Sequence, residues 1–195
     1  MTIQEQKIIQ RKAGISARRA LPETERRAAN EALCATLTAL PCFVSARCLL
    51  IYAAFGGEAD LSALAREADR LGKAVAYPIC GEGFTLTAAV PDPDGWEIGA
   101  YGIRTPVPAR SRLLLPEELD LVLVPCTAFD ASCRRVGMGK GYYDRFLPRC
   151  TRAVKIGVAF EAQRVEHTAA EAHDRTLDAF VTEKGIYRGT DKSEL

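Results

Sequence analysis

Histidine is scarce in this chain: His167 and His173 are the only two among 195 residues. A Ser-His or Cys-His nucleophile pair needs an imidazole beside the activated side chain, so little room is left for that chemistry. Metal-binding spacing is missing too. The seven cysteines, at 34, 42, 48, 80, 126, 133 and 150, form an odd number with no Cys-x-x-Cys pair and no neighbouring histidine cluster. That argues against zinc and against a disulfide framework. They read as small buried hydrophobes in a reducing compartment. Cys133, beside Arg134 and Arg135, is the one whose neighbours favour a thiolate.

No stretch approaches the roughly twenty apolar residues of a membrane span, and Met1 to Gln10 lacks the layout of a signal peptide. Nor is one sign of charge in excess. With 26 Lys plus Arg against 25 Asp plus Glu, the net charge is +1, which gives no bulk electrostatic reason to expect nucleic acid as partner. The expectation is a soluble cytoplasmic protein acting on small molecules as a monomer or weak dimer. Its length suits one domain, residues 1–187, with a loose tail over 188–195.

Order along the chain is easier to read at its two ends than in its middle. Gln4 to Ala20 reads as a helix with Lys7, Arg11 and Arg18 between Ile8, Ile9 and Ile15. A second helix begins around Pro22 and buries Ala29, Leu33, Leu37 and Leu40 at helical spacing. Cys48 to Tyr52 is a short continuous apolar run, as in a strand covered on both faces. Asp60 reads as the N-cap of a helix over Leu61 to Leu71 with Gly72 past its end, and a strand from Ala74 to Tyr77 closes at Pro78. Strand, helix, strand with short connections calls for parallel pairing.

Residues 84–116 give weak signals: Phe84 to Ala88 alternates like a half-exposed strand, and Trp96 to Ile103 reads as another extended piece. Leu119 to Pro125, Lys155 to Phe160 and Ala179 to Thr182 complete the strands. The sum is an α/β fold of three layers, Rossmann-like, with a mostly parallel central sheet. In such a fold ligands collect beyond the carboxyl ends of the strands, where Gly56-Gly57-Glu58, Phe129 to Tyr143 and His173-Asp174 could all lie.

The most informative segment is Arg135-Val136-Gly137-Met138-Gly139-Lys140-Gly141-Tyr142-Tyr143-Asp144. Glycines at every second position let backbone N–H groups approach and aim at a polyanion. Arg135 and Lys140 bring positive charge to the same place, and Asp144 can hold a divalent cation against phosphates. Tyr142 and Tyr143 offer flat surfaces, as Trp96 and Phe129 also could, although aromatics are commonly core. The run is neither a Walker A loop, since no Ser or Thr follows Lys140, nor a dinucleotide fingerprint, since its third glycine comes one residue early. A helix from Tyr142 to Leu147, stopped by Pro148, follows. Lys7 and Arg11, four apart, project from one helix face and could grip phosphates together. They equally describe the solvated face of an amphipathic helix. Glu58 is a candidate for binding a ligand's N–H groups, or a loop carboxylate facing water.

Lys7-x-x-x-Arg11, Glu58-x-Asp60, Val124-Pro125 with Phe129-Asp130, and above all Arg135 to Asp144 resemble the 5-formyltetrahydrofolate cyclo-ligase family, in matching order from about Lys7 to Glu183. The resemblance implies an ATP- and magnesium-dependent closure of 5-formyltetrahydrofolate to 5,10-methenyltetrahydrofolate on a sheet of the isomerase and CoA-transferase type. Carried over by position, it implies ATP against Lys7, Arg11 and the run Arg135, Val136, Gly137, Met138, Gly139, Lys140, Gly141, Tyr142 and Tyr143. It puts the reduced folate against Ala53, Glu58 and residues Met138 to Tyr142, catalytic roles on Lys140, Arg135 and Tyr142, and magnesium on Asp144 and Asp174. The chain departs from the family pattern at Cys126 and Cys133, which replace glycines, and at Thr105, where Glu is common. Those departures motivate an alternative, a non-catalytic folate or nucleotide binder. A sugar-phosphate isomerase or CoA transferase on the same sheet is a third reading, which fold alone does not separate.

Overall fold

In a computed structural model, which describes residues 1–171 and 174–189, the chain folds around one eight-stranded sheet. His173 and residues 190–195 of the expected tail lie outside the described residues. The helices are α1 (Ile3–Ala20), α2 (Glu23–Ala39), α3 (Pro41–Ser45), α4 (Ser62–Arg70) and α5 (Tyr142–Phe146). The strands are β1 (Cys48–Leu50), β2 (Ala74–Cys80), β3 (Leu86–Pro91), β4 (Trp96–Ile98), β5 (Arg104–Pro106) and β6 (Ser111–Leu114). After them come β7 (Leu121–Pro125), β8 (Ala128–Phe129), β9 (Arg135–Val136), β10 (Val154–Val158), β11 (Ala179–Thr182) and β12 (Gly185–Arg188).

The order across the main sheet is β12-β11-β10-β7-β1-β2-β3-β6. The five central strands β11, β10, β7, β1 and β2 run parallel, with antiparallel β12 on one edge and β3 and β6 on the other. Both faces of the parallel strands are covered, and β7 shows why its sequence is one apolar run. Leu121 and Leu123 face a core shared with α2 and α4, while Val122 and Val124 face a second core shared with α5 and Phe129. Successive strands step outward in opposite directions from the β1–β7 pair, so the loops after these two strands part there and leave a crevice at their carboxyl ends.

Gly72 follows the end of α4 with φ +69°, as expected, but Asp60 is not the N-cap: Leu61 takes that position at the start of Ser62–Arg70, and Asp60, one residue earlier, accepts from the Ser62 backbone N–H at 2.9 Å. Other expectations need correction too. β2 does not close at Pro78 but continues to Cys80. Its pairing with β1 ends at Ala76, so the missing proline N–H removes no bond on that side. Trp96 to Ile103 is not one extended piece, because β4 turns through Ala100–Gly102 into β5 and forms a separate hairpin. Arg188, expected to open the tail, is the last residue of β12. β6 and β12, too short and too polar to show a period, had no sequence signal.

Candidate active site

Helix α1 is inside out. Lys7, Arg11, Gly14 and Arg18 follow one another at helical spacing along one face, and that face turns inward: Lys7, Gly14 and Arg18 are buried and Arg11 is half-buried. Ile8 and Ile9 point outward, 46% and 55% exposed. The solvated-face reading of Lys7 and Arg11 is therefore corrected. The helix is held by polar bonds rather than apolar burial. Gln4 and Lys7 donate to Glu171 at 2.9 and 2.7 Å, Gln10 bonds the backbone of His167 and Ala169, and Arg11 Nε donates to the Gly137 carbonyl at 2.8 Å. Gly14 permits the close approach, since a Cβ there would lie 1.9 Å from the Thr127 carbonyl oxygen.

The glycine run starts as strand β9, paired with β8, and leaves it through Gly137 to Gly141 into α5. Gly139 has φ +97°, and a Cβ there would come within 3.1 Å of the Arg11 guanidinium. Gly141 takes φ +69° at the N-cap of α5. Asp130 is nearly fully buried and holds the hairpin through four hydrogen bonds, from the backbone N–H of Ser132 and Arg134 and from the N–H and hydroxyl of Thr168. Sequence reasoning quoted Asp130 without this role; the Asp-x-Ser spacing of an Asx turn was its available signal.

Two clusters of charge flank this loop. In the first, Lys7 Nζ lies 2.6 Å from Asp174 and 2.7 Å from Glu171, and those two bonds, opposing the cost of burial, raise the Lys7 pKa. Arg135 donates to Asp144 Oδ1 at 2.7 Å and to the Arg175 carbonyl at 2.6 Å, while the Arg175 N–H also reaches Asp144 at 3.3 Å. A cavity of about 320 Å³ opens between Arg134, Arg135, Glu171, Asp174 and Arg175. In the second cluster, Lys140 Nζ lies 3.3 Å from the Tyr101 hydroxyl, which raises its pKa. Arg135 and Lys140 thus turn to different partners instead of delivering charge at one point, because Arg135 is fixed in the strand while Lys140 lies beyond the turn.

Around Lys140 the walls are aromatic. Tyr101 faces Phe55 at 6.0 Å, and Phe84 meets Tyr142 edge-on at 5.8 Å. Phe84 and Tyr101 are exposed yet sit at φ +59° and +61°, a conformation that costs a non-glycine residue about 1–3 kcal/mol and concentrates at ligand sites. Sequence reasoning missed both, since nothing in a loop's composition announces backbone strain. The Tyr143 hydroxyl is buried with no hydrogen-bond partner among the described residues, and burial pushes its pKa up. Trp96 does not join this site. It packs edge-on against Tyr77 and under Arg104, and Thr105 stays with it in the β4–β5 hairpin. Phe129 is core, stacked on Phe180 at 4.5 Å.

Ala53 and Glu58 stand in the loop after β1. Glu58 does not face water: its side chain is 12% exposed. It accepts from the Phe55 N–H at 3.1 Å and from Arg18 at 3.4 Å, and burial raises its pKa against these two partners. Cys133 is the opposite of a reactive thiolate, because burial pushes its thiol up to about 11. Its backbone nevertheless lies in the left-handed region that favours glycine, with φ +61°.

For a metal, Asp144 and Asp174 offer hard carboxylate oxygens near the cavity, and no group of three metal-binding side chains converges among the described residues. That donor set suits magnesium, which takes one or two protein carboxylates and completes its shell with phosphate oxygens and water. Among the described residues no helix is long and apolar enough to cross a membrane.

Comparison with known proteins identifies the family across nearly the whole chain. Residues 3–183 match the model of the 5-formyltetrahydrofolate cyclo-ligase family. The chain is 30% identical to the 5-formyltetrahydrofolate cyclo-ligase of Mycolicibacterium smegmatis over 89% of its own length and 92% of the relative's. It is 30% identical to that of Escherichia coli K12, over 87% and 96%. The fold superposes on the NMR structure of Aquifex aeolicus 5,10-methenyltetrahydrofolate synthetase with a TM-score of 0.84 and 36% identity, covering 97% of this chain and 95% of that one.

Proposed function

Because the chain belongs to the 5-formyltetrahydrofolate cyclo-ligase family, a family of folate ligases, we propose that it closes 5-formyltetrahydrofolate to 5,10-methenyltetrahydrofolate with ATP and magnesium, releasing ADP and phosphate. The observation that supports this reading is that Arg11 lies against the glycine run at Gly137, while the desolvated carboxylate of Glu58 stands in the loop after β1, at the crevice where the β1 and β7 loops part.

A formamide is a weak electrophile, since its nitrogen donates into the carbonyl. Transfer of the γ-phosphoryl group to the formyl oxygen turns that oxygen into a leaving group. N10 then attacks the formyl carbon and loses its proton to solvent, phosphate leaves with the electron pair of the C–O bond, and the five-membered ring closes as the methenyl cation. No protein nucleophile is needed, and the work is positioning and charge neutralisation. Lys7, Arg11 and Arg135 hold the phosphates, with the backbone of residues 136–143 against the same polyanion. Glu58 accepts hydrogen bonds from the pterin. Lys140 and Tyr142 stand where phosphate and folate meet, so Lys140 can follow the negative charge as it moves to the formyl oxygen. Asp144 and Asp174 would hold the magnesium, which when bound neutralises charge on the phosphates. Residues 1–188, β12 included, act as one domain, a cytoplasmic monomer or weak dimer.

The test is direct. Purified protein given 5-formyltetrahydrofolate and magnesium ATP should generate the methenyl chromophore, and Lys140→Ala or Asp144→Ala should lower the rate about 100-fold or more. A folded wild-type protein that produces no chromophore ends the proposal.

A further inference from the structure

Arg18 has no part in the roles above, yet it is the most deeply buried charge among the described residues, with a side chain 1% exposed. Its guanidinium spans the crevice between the two parting loops. Nε donates to the Gly56 carbonyl at 3.0 Å and Nη2 to the Phe55 carbonyl at 3.3 Å. Nη1 reaches both Glu58 Oε1 at 3.4 Å and the Cys126 carbonyl at 3.3 Å. The same residue lies eleven positions after Lys7 on the inward face of α1.

We propose that Arg18 is a positioning residue for the folate-binding carboxylate. It locks the loop after β1 to the loop after β7 and to α1, and it holds Glu58 charged and aimed at the pterin. The inference rests on the reading of Glu58 as the pterin's partner. Its geometry suits that task. Arg18 takes one long bond at Oε1 and the Phe55 N–H one at Oε2, which leaves a second lone pair on each oxygen for a ligand. Only a planar fork can serve three carbonyls and a carboxylate from one point; a lysine cannot.

The groups facing Glu58 are Arg18 from α1, Tyr52 beyond β1, Cys126 beyond β7 and Tyr143 from α5. Arg18 is the only cation among them. Without its fork, burial acts on Glu58 with less opposition, and the carboxylate protonates at higher pH.

Arg18→Lys is expected to raise the KM for 5-formyltetrahydrofolate about tenfold, leave the KM for ATP within about twofold, and move the acid limb of kcat/KM for the folate toward neutral pH. Glu58→Gln should raise the folate KM and abolish that limb, and adding Arg18→Lys to it should cost little more. An unchanged folate KM in Glu58→Gln overturns the reading of Glu58 itself. A raised KM in Glu58→Gln beside a wild-type KM and unmoved pH profile in folded Arg18→Lys overturns the role of Arg18 alone. Equal losses for both substrates, or failure of both Arg18→Lys and Arg18→Gln to fold by circular dichroism, makes Arg18 a structural strut and overturns it as well.

Discussion

At Cys133 a thiol stands where the backbone asks for glycine. With φ +61° the residue carries left-handed strain, and its side chain is wholly buried, with Sγ 3.5 Å from the Tyr187 carbonyl. The usual order of helix and strand substitutions should therefore invert here. Both Cys133→Gly and Cys133→Ala lose the thiol's packing, but only glycine releases the strain, so Cys133→Gly should be the more stable by about 1 kcal/mol. Chemical denaturation of the two variants decides it, and an alanine variant at least as stable as the glycine one would contradict the account. The same residue shows what its neighbours in sequence could not reveal. Arg134 and Arg135 are adjacent in the chain, but Arg135 spends its charge on Asp144, and desolvation governs the thiol.

Helix α1 is the element on which hydropathy misleads. Its cations were legible at Lys7 and Arg11, but their direction was not, because an amphipathic pattern names two faces without saying which one is wet. The clue was Gly14, seven residues after Lys7 and on the same face; a glycine inside a helix often marks a close backbone approach. Gly14→Ala would drive a Cβ into the Thr127 carbonyl. The helix must lift, and the expected result is a loss of about 1–3 kcal/mol in stability with a raised KM for ATP, read from a thermal melt and steady-state kinetics. An alanine variant with wild-type melting and ATP kinetics would show that the contact is soft. The parallel strands were the most readable elements, since β7, β10 and β11 are buried on both faces and their composition leaves no other reading. β6, β12 and the β4–β5 hairpin depend on partners far along the chain, and single-strand patterning carries no trace of those.

Across the whole molecule, residues from α1, β9 and α5 and Asp174 meet so that the cations proposed for phosphate and the carboxylates proposed for metal neutralise one another: Lys7 with Asp174, and Arg135 with Asp144. Under the proposed function a nucleotide and its metal take these partners together, each releasing the groups the other needs. Asp144→Asn frees Arg135 from its carboxylate. Affinity for ATP in the presence of a chelator should then rise about tenfold, while the gain from adding magnesium shrinks. Calorimetry with and without metal measures both, and weaker metal-free binding in the variant would refute the exchange. Sequence alone named all four of these side chains but not their pairing, which arises only when α1 lies across the hairpin.

The outward isoleucines of α1 carry a last consequence. A helix seated on oil stays put whatever occupies the crevice beside it, whereas this one is moored by ionic and polar ties to the very segments that would receive the nucleotide. Under the proposed function, a nucleotide entering there would trade one set of moorings for another, and the first helix would shift with each turnover.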